Sequence, residues 1–360
     1  MINIDNMDSK SVVRPDFRRD VSSDDADYFV NIPRRRWFFK SLEIDPTDVN
    51  FQKRGFARGC PAVQERLETA ASTFVQGYNT ALHFRGDTHD LTAFPTCPPA
   101  MRGFFVEGAA MALAITDTAP FSALAGRRLS RFLAQCATDH PYLSAVGAGW
   151  ALNKIPWRRR AILQSLEPTL ALLAFDGWGF FRSFFAPNEI LWGPPKQVFK
   201  YGGERAVRSW DRGAGRALWF TSAGSPERAV KTVYACDPAR QRDIWAGLGL
   251  AVTYAGGLAR AEAHMLCQAA GSDAAWLCQG SAFALEAHKR AGTGSGDVDV
   301  TFTALTGRST ADGLAIVRNS RPDPIPEEPL GDAYRRHDAW RAEIAAQLTG
   351  ERAPTHDVET

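Results

Sequence analysis

This sequence predicts an all-α fold, built as a single large helical domain, and three observations lead there. Apolar positions recur at helical spacing over long segments, as in Val63, Leu67, Ala70, Phe74, Val75 and Tyr78. The period-two alternation of strands is almost absent, and its best example, Val298 to Thr303, is short. Three glycine-centred segments also recur in the same order: Gly108 matches Gly213 at an offset of 105, Gly149 matches Gly249 at 100, and Gly177 matches Gly280 at 103. Repetition in register predicts an internal pseudo-twofold duplication, with halves at about 100–185 and 205–292 around a hydrophobic cavity.

The elements follow in chain order. Residues 1–30 are rich in Asp and Ser and read as a disordered arm. The duplicated domain spans 31–318. It opens on Arg34-Arg35-Arg36-Trp37-Phe38-Phe39, expected to be an amphipathic helix that caps the domain by its aromatic face. Pro61 to Ala81 is expected to be helical, and Pro95, Pro98 and Pro99 break the chain before the first glycine-centred helix. Asp139-His140-Pro141 and Asp237-Pro238 read as helix starts, with Asp as cap and Pro in the first turn. Gly224-Ser225-Pro226 reads the same way. Residues 319–333 are a proline-rich linker, 334–350 a final surface helix, and 351–360 a disordered tail.

At 360 residues, 45% apolar and 23% charged, the chain can bury a large core. A net charge of +2 gives no electrostatic case for nucleic acid. No apolar run approaches the ~18 residues of a membrane span, and the charged first thirty residues do not form a secretory signal. Six cysteines without a Cys-x-x-Cys pair fit free thiols and a cytoplasmic location.

Glycine inside a helix costs about 1 kcal/mol relative to alanine, so the mid-helix glycines need a compensating gain. Close helix–helix approach and approach of a substrate to the backbone both supply one. The string Arg102-Gly103-Phe104-Phe105-Val106-Glu107-Gly108-Ala109-Ala110-Met111-Ala112-Leu113 resembles a hallmark of domain of unknown function seventeen-hundred-and-two, an uncharacterised family. The segments 34–56, 140–152, 173–180, 213–220, 245–257 and 279–291 resemble its other blocks, so the likeness covers about residues 34 to 310. Trp178 stands where another aromatic is common in that family, and Arg182-Ser183 where it is often acidic. The resemblance implies a setting beside enediyne polyketide synthases and in other bacterial secondary-metabolite clusters, without implying a reaction.

Asp176 is the first candidate for chemistry. It sits among Phe175, Trp178, Phe180 and Phe181, where lost hydration raises a carboxyl pKa, and a helix C-terminus would act in the same sense. It also maps onto Gln279, which breaks the apparent symmetry. A buried Asp bonded to backbone amides or to Arg182 is the structural alternative. Glu107 maps onto Arg212, so the two could pair across the pseudo-axis or clamp a substrate. His140 is either a proton shuttle or a satisfied turn residue. Trp150, Trp178, Phe180 and Tyr254 are core residues or the wall of a pocket for a conjugated or isoprenoid-like guest, beside Arg212 and Gln279.

Other motifs carry less. Gly247-x-Gly249 lacks the strand that a dinucleotide fingerprint requires, and Asp24-Asp25-x-Asp27 and Asp297-x-Asp299 fall in loop-like sequence. His264 and Cys267 are two ligands where zinc needs three or four, so no metal site and no cofactor is expected.

The reading is therefore a natural-product enzyme performing acid–base cyclisation or isomerisation on a hydrophobic polyene or terpenoid intermediate. Asp176 would donate the proton, with Glu107 and His140 assisting. The alternatives are a non-catalytic protein that shelters such an intermediate or docks on a polyketide or terpenoid pathway synthase, and a metal-dependent oxidase. A homodimer is compatible with all three.

Overall fold

Seven long helices follow one another as antiparallel neighbours: α1 (Pro61–His83), α2 (Arg102–Thr116), α3 (Pro141–Lys154), α4 (Leu173–Phe185), α5 (Lys196–Thr221), α6 (Pro238–Tyr254) and α7 (Ala274–Arg290). The computed structural model describes residues 40–84, 97–117, 127–135 and 138–350. These contain no strand, and from Glu43 onward they form one compact helical unit. The arm at 1–30, the Arg34–Phe39 segment, Pro95, Cys136 and the tail at 351–360 lie outside the described residues.

The mid-helix glycines set the spacing of the row. A Cβ added at Gly149 of α3 would stand 2.0 Å from the Ala174 carbonyl oxygen of α4, and one at Gly177 would stand 1.9 Å from that of Val146. Backbones this close exclude every side chain, so the gain from packing offsets the helical cost of glycine. The two contacts run in opposite order along the two chains, which makes the helices antiparallel. Gly179 with Gly213, Gly215 with Gly247, and Gly249 with Gly280 repeat the arrangement at the next three junctions. Each helix from α3 to α6 therefore carries one glycine for the helix before it and one for the helix after. The unit that repeats in these contacts is a single helix.

Small residues line the junctions, so large side chains point elsewhere, and the row curls around them. The Phe104 ring on α2 lies 5.3 Å from Tyr254 on α6, and Tyr142 on α3 lies 6.3 Å from Phe283 on α7.

Local signals explain most boundaries. Asp237 accepts from the Ala239 amide at the start of α6, and Ser225 accepts from Arg228 at the start of Pro226–Ala235. The start of α3 is a correction: His140, not Asp139, occupies the cap position, and no side chain caps it. The stretch Lys196–Thr221 is bent where Gly203 leaves helical geometry (φ 62°, ψ −152°).

Val298 to Thr303, the most strand-like stretch, lies within the helix Gly296–Thr306. Its buried residues Val298, Thr301, Phe302 and Leu305 follow helical spacing, which prevails over the short alternation. The C-terminal helix α8 spans Leu330–Thr349, starting four residues earlier than expected, directly after Pro329. It is also more than a surface helix. Tyr334, His337, Arg341, Ile344 and Leu348 form a buried stripe that packs on α5 and α7 and on the turn at 168–170.

Candidate functional site

The glycine register places the polar residues of the interior. Glu107, Asp176, Arg212 and Gln279 each directly precede the glycine that meets the previous helix (Gly108, Gly177, Gly213 and Gly280). They consequently stand beside the helix crossing points, at a shared level of the bundle. All four are buried, Glu107 and Asp176 to 1% and 2% exposure.

Arg216, one turn beyond Arg212 on α5, joins the two carboxylates. Its Nη1 donates to Asp176 Oδ1 at 2.8 Å and its Nη2 to Glu107 Oε1 at 3.3 Å. Trp150 Nε1 donates to the same Glu107 oxygen at 2.9 Å. One guanidinium thus serves two acids in a water-poor interior. Burial pushes Glu107 upward, opposed mainly by Arg216, and Asp176 is displaced the same way for the same reason. The helix dipole does not contribute to that rise. Asp176 lies in the first turn of α4, where the dipole favours an anion, and not near a C-terminus as its surroundings in sequence suggested.

Two small cavities flank Arg216. The first, about 20 Å³, is walled by Phe74, Phe104, Trp150, Phe180 and Phe220, with Glu107 and Arg216 as its polar edge. The second, about 40 Å³, is bordered by Asp176, Arg216, Tyr142, Tyr254, Phe283 and Arg341. Elements on both sides of the chain midpoint meet there. The Arg216 guanidinium also sits 4.9 Å from the Phe180 ring centre.

The remaining candidates fall at varying distances from this centre. Arg212 does not pair with Glu107. It binds Asp243 at 2.8 Å and Asp338 at 3.1 Å, which anchors α8 to α5 and α6. Asp176 does not pair with Arg182, whose partner is Glu189. Gln279 accepts from Arg341 Nη2 at 2.8 Å, so the position that breaks the symmetry with Asp176 holds a neighbouring arginine.

Trp178 borders neither cavity. Its indole donates to Asn153 and its face carries the Arg159 guanidinium at 4.2 Å. His140 is buried but borders neither cavity, and burial lowers its pKa to about 4, so it is neutral at pH 7. The Cys267 and Cys278 thiols both donate to the Leu305 carbonyl at 3.2 Å. No group of three or more His, Cys, Asp or Glu able to hold a metal occurs among the described residues.

Arg216 and Arg341 were not among the candidates. A signal for Arg216 existed: Arg208, Arg212 and Arg216 are four residues apart on a helix otherwise rich in Gly and Ala. For Arg341 it was the heptad spacing of Tyr334, Arg341 and Leu348, which places a cation on an apolar stripe.

An all-helical bundle with a buried acid–arginine–acid centre defines the class of protein, and comparison with known families places it. A family described as "Protein of unknown function (DUF1702)" matches residues 34–348, and the chain belongs to that family. No curated protein and no solved structure matches it significantly. No helix among the described residues is long and apolar enough to cross a membrane.

Proposed function

We propose that this protein is an enzyme of bacterial secondary metabolism that performs acid–base chemistry on a hydrophobic polyene or terpenoid intermediate, as in a cyclisation or isomerisation. The observation that carries the reading is the sharing of Arg216 between two buried carboxylates beside an aromatic wall. The two carboxylates share the Arg216 ion pair, and burial pushes both of them upward, which favours a proton retained on one of them. Asp176, on the second cavity, is the acid that protonates an alkene carbon; Glu107, on the first cavity across Arg216, is the base that removes a proton from the resulting cation once the wall between the two spaces rearranges. One acid loses the proton that the other gains, and exchange with solvent restores the pair. On the Glu107 side, the faces of Phe180 and Trp150 favour positive charge. His140, neutral and outside both cavities, assists only indirectly.

The cavities constrain this reading. At about 20 and 40 Å³ they are far below the roughly 300 Å³ of typical ligand sites, so a whole polyene enters only if the aromatic wall rearranges. A duplication into two halves with the second cavity between them belongs to the same proposal; it rests on the in-register recurrence of the glycine-centred segments in sequence, since the glycine contacts themselves repeat helix by helix. An enediyne setting, a cytoplasmic location and a homodimer belong to the same proposal and rest on sequence resemblance and composition.

The experiment is turnover of polyene and prenyl substrates in D2O, with deuterium uptake read by mass spectrometry. Wild type should incorporate solvent deuterium, and Asp176→Asn should lose at least about a hundredfold while keeping its helical spectrum. Full activity in a folded Asp176→Asn protein removes the mechanism. Tight binding without deuterium uptake favours the sheltering role instead, and metal analysis of the purified protein decides the oxidase alternative.

A further inference from the structure

Arg341 is 2% exposed and, among the described residues, has no carboxylate within ion-pairing distance. The other arginines buried as deeply, Arg212 and Arg216, each have two. The one hydrogen bond of the Arg341 side chain among these residues goes to the neutral Gln279 amide oxygen, its guanidinium lies 4.8 Å from the Phe283 ring centre, and its Nε is without a hydrogen-bond partner. Asp176, Asp243 and Asp338 offset its charge only from a distance, and a buried charge without a close partner is costly.

The surroundings repeat the pattern. Arg341 borders the second cavity, as do Tyr142 and Tyr254, which are 7% and 4% exposed and whose hydroxyls both lack partners. The Gln279 amide nitrogen beside Arg341 is also unpartnered. Donors therefore outnumber acceptors here. The one carboxylate on the wall, Asp176, already commits an oxygen to Arg216.

A route leads in. Tyr142 also borders a recess of about 150 Å³, lined by Glu286, Arg290, Val317, Arg318 and Arg321. Arg290 and Arg318 pair with Glu286 and Arg321 pairs with Glu167, which leaves a net excess of one positive charge at that mouth, and Tyr142 borders both it and the inner cavity.

We infer that the second cavity is a carboxylate-binding site, in which Arg341 with the Tyr142 and Tyr254 hydroxyls receives the acid end of a hydrophobic ligand. A planar carboxylate matches the guanidinium fork and is small enough for a space of about 40 Å³, whereas a phosphate is bulkier and tetrahedral. The inference rests on the proposed handling of a hydrophobic intermediate and adds its class, a polyene or isoprenoid carboxylic acid. Bound there, the head would lie on the same cavity wall as Asp176, whose Oδ1 is held by Arg216.

The test is fluorescence binding of a conjugated tetraenoic fatty acid and of its methyl ester to the full-length protein, with acetate as a competitor. The acid should bind at least about tenfold more tightly than the ester, since a site built to hydrogen-bond a group discriminates against its loss. Arg341→Gln should remove that preference, bringing the acid to the affinity of the ester. Tyr142→Phe should reduce it severalfold, which keeps the test decisive if Arg341→Gln folds poorly. Displacement of the acid by acetate supports a pocket for any small carboxylate.

Equal binding of acid and ester, no binding of either, or an unchanged ratio in both variants overturns the inference. Equal binding alongside Asp176-dependent deuterium uptake refutes the head-group site alone. Arg341-dependent binding without that uptake refutes the catalytic reading alone.

Discussion

Arg216 and Asp176 form an ion pair at 2.8 Å between adjacent helices, with side-chain exposures of 6% and 3%. The same guanidinium holds Glu107 at 3.3 Å, so α2, α4 and α5 are joined through one side chain. Removing one member of such a cluster exposes the others to an uncompensated interior.

Arg216→Met leaves two buried carboxylates without their cation and should destabilise the protein by about 3–5 kcal/mol at pH 7, read by urea unfolding. The sign of its pH dependence follows from burial. Burial holds both carboxyls above their ordinary values of 4.5 and 3.8, so ionising these acids opposes folding above that range. The deficit of the variant should therefore shrink as pH falls toward 4. A deficit that is constant with pH would mean the loss comes from packing.

Trp150→Phe keeps most of the aromatic wall but removes the indole donor to Glu107. A cost of about 1–3 kcal/mol is expected, with Glu107 titrating at still higher pH. Carboxyl difference spectroscopy of the variant against wild type checks the second part.

Glycine substitutions should divide by what the new methyl meets. Gly213→Ala places a Cβ 1.9 Å from the Asp176 carbonyl oxygen, so α4 and α5 must separate, at a cost of at least about 1–3 kcal/mol. Gly331→Ala in α8 meets nothing within 4 Å and should stabilise by up to about 1 kcal/mol. Thermal melts that shifted the two in the same direction would contradict the close-approach role.

His140 supplies an acid-side pH dependence. Burial depresses its folded pKa from 6.5 to about 4, so the unfolded chain takes up a proton that the folded one refuses. Stability associated with this group is complete above pH 6.5 and is lost as pH falls from there to 4, by about 3 kcal/mol in all. His140→Gln should flatten that part of the stability profile in unfolding experiments at stepped pH.

Several features were legible because local chemistry decides them. Pro61 opens α1, and Asp237 and Ser225 cap their helices through contacts within three residues. Other readings failed because they needed contacts distant in sequence. Glu107 and Arg212 occupy matching positions in their helices, yet α5 presents Arg216 to Glu107 and turns Arg212 toward Asp243 and Asp338. Asp176 was assigned to the wrong end of its helix because the apolar run before it continues through a short 3-10 turn at 168–170.

The sequence by itself determined the helical class, helix starts such as Pro61, Ser225 and Asp237, and the glycine positions where backbones could meet, since periodicity, capping and the absence of a Cβ act within a few residues. Only the tertiary structure decided which charges pair, that α8 brings into the interior an arginine with no carboxylate in ion-pairing distance, and how little free space remains. Those outcomes depend on the rotation of each helix about its axis, which is set by neighbours tens to hundreds of residues away.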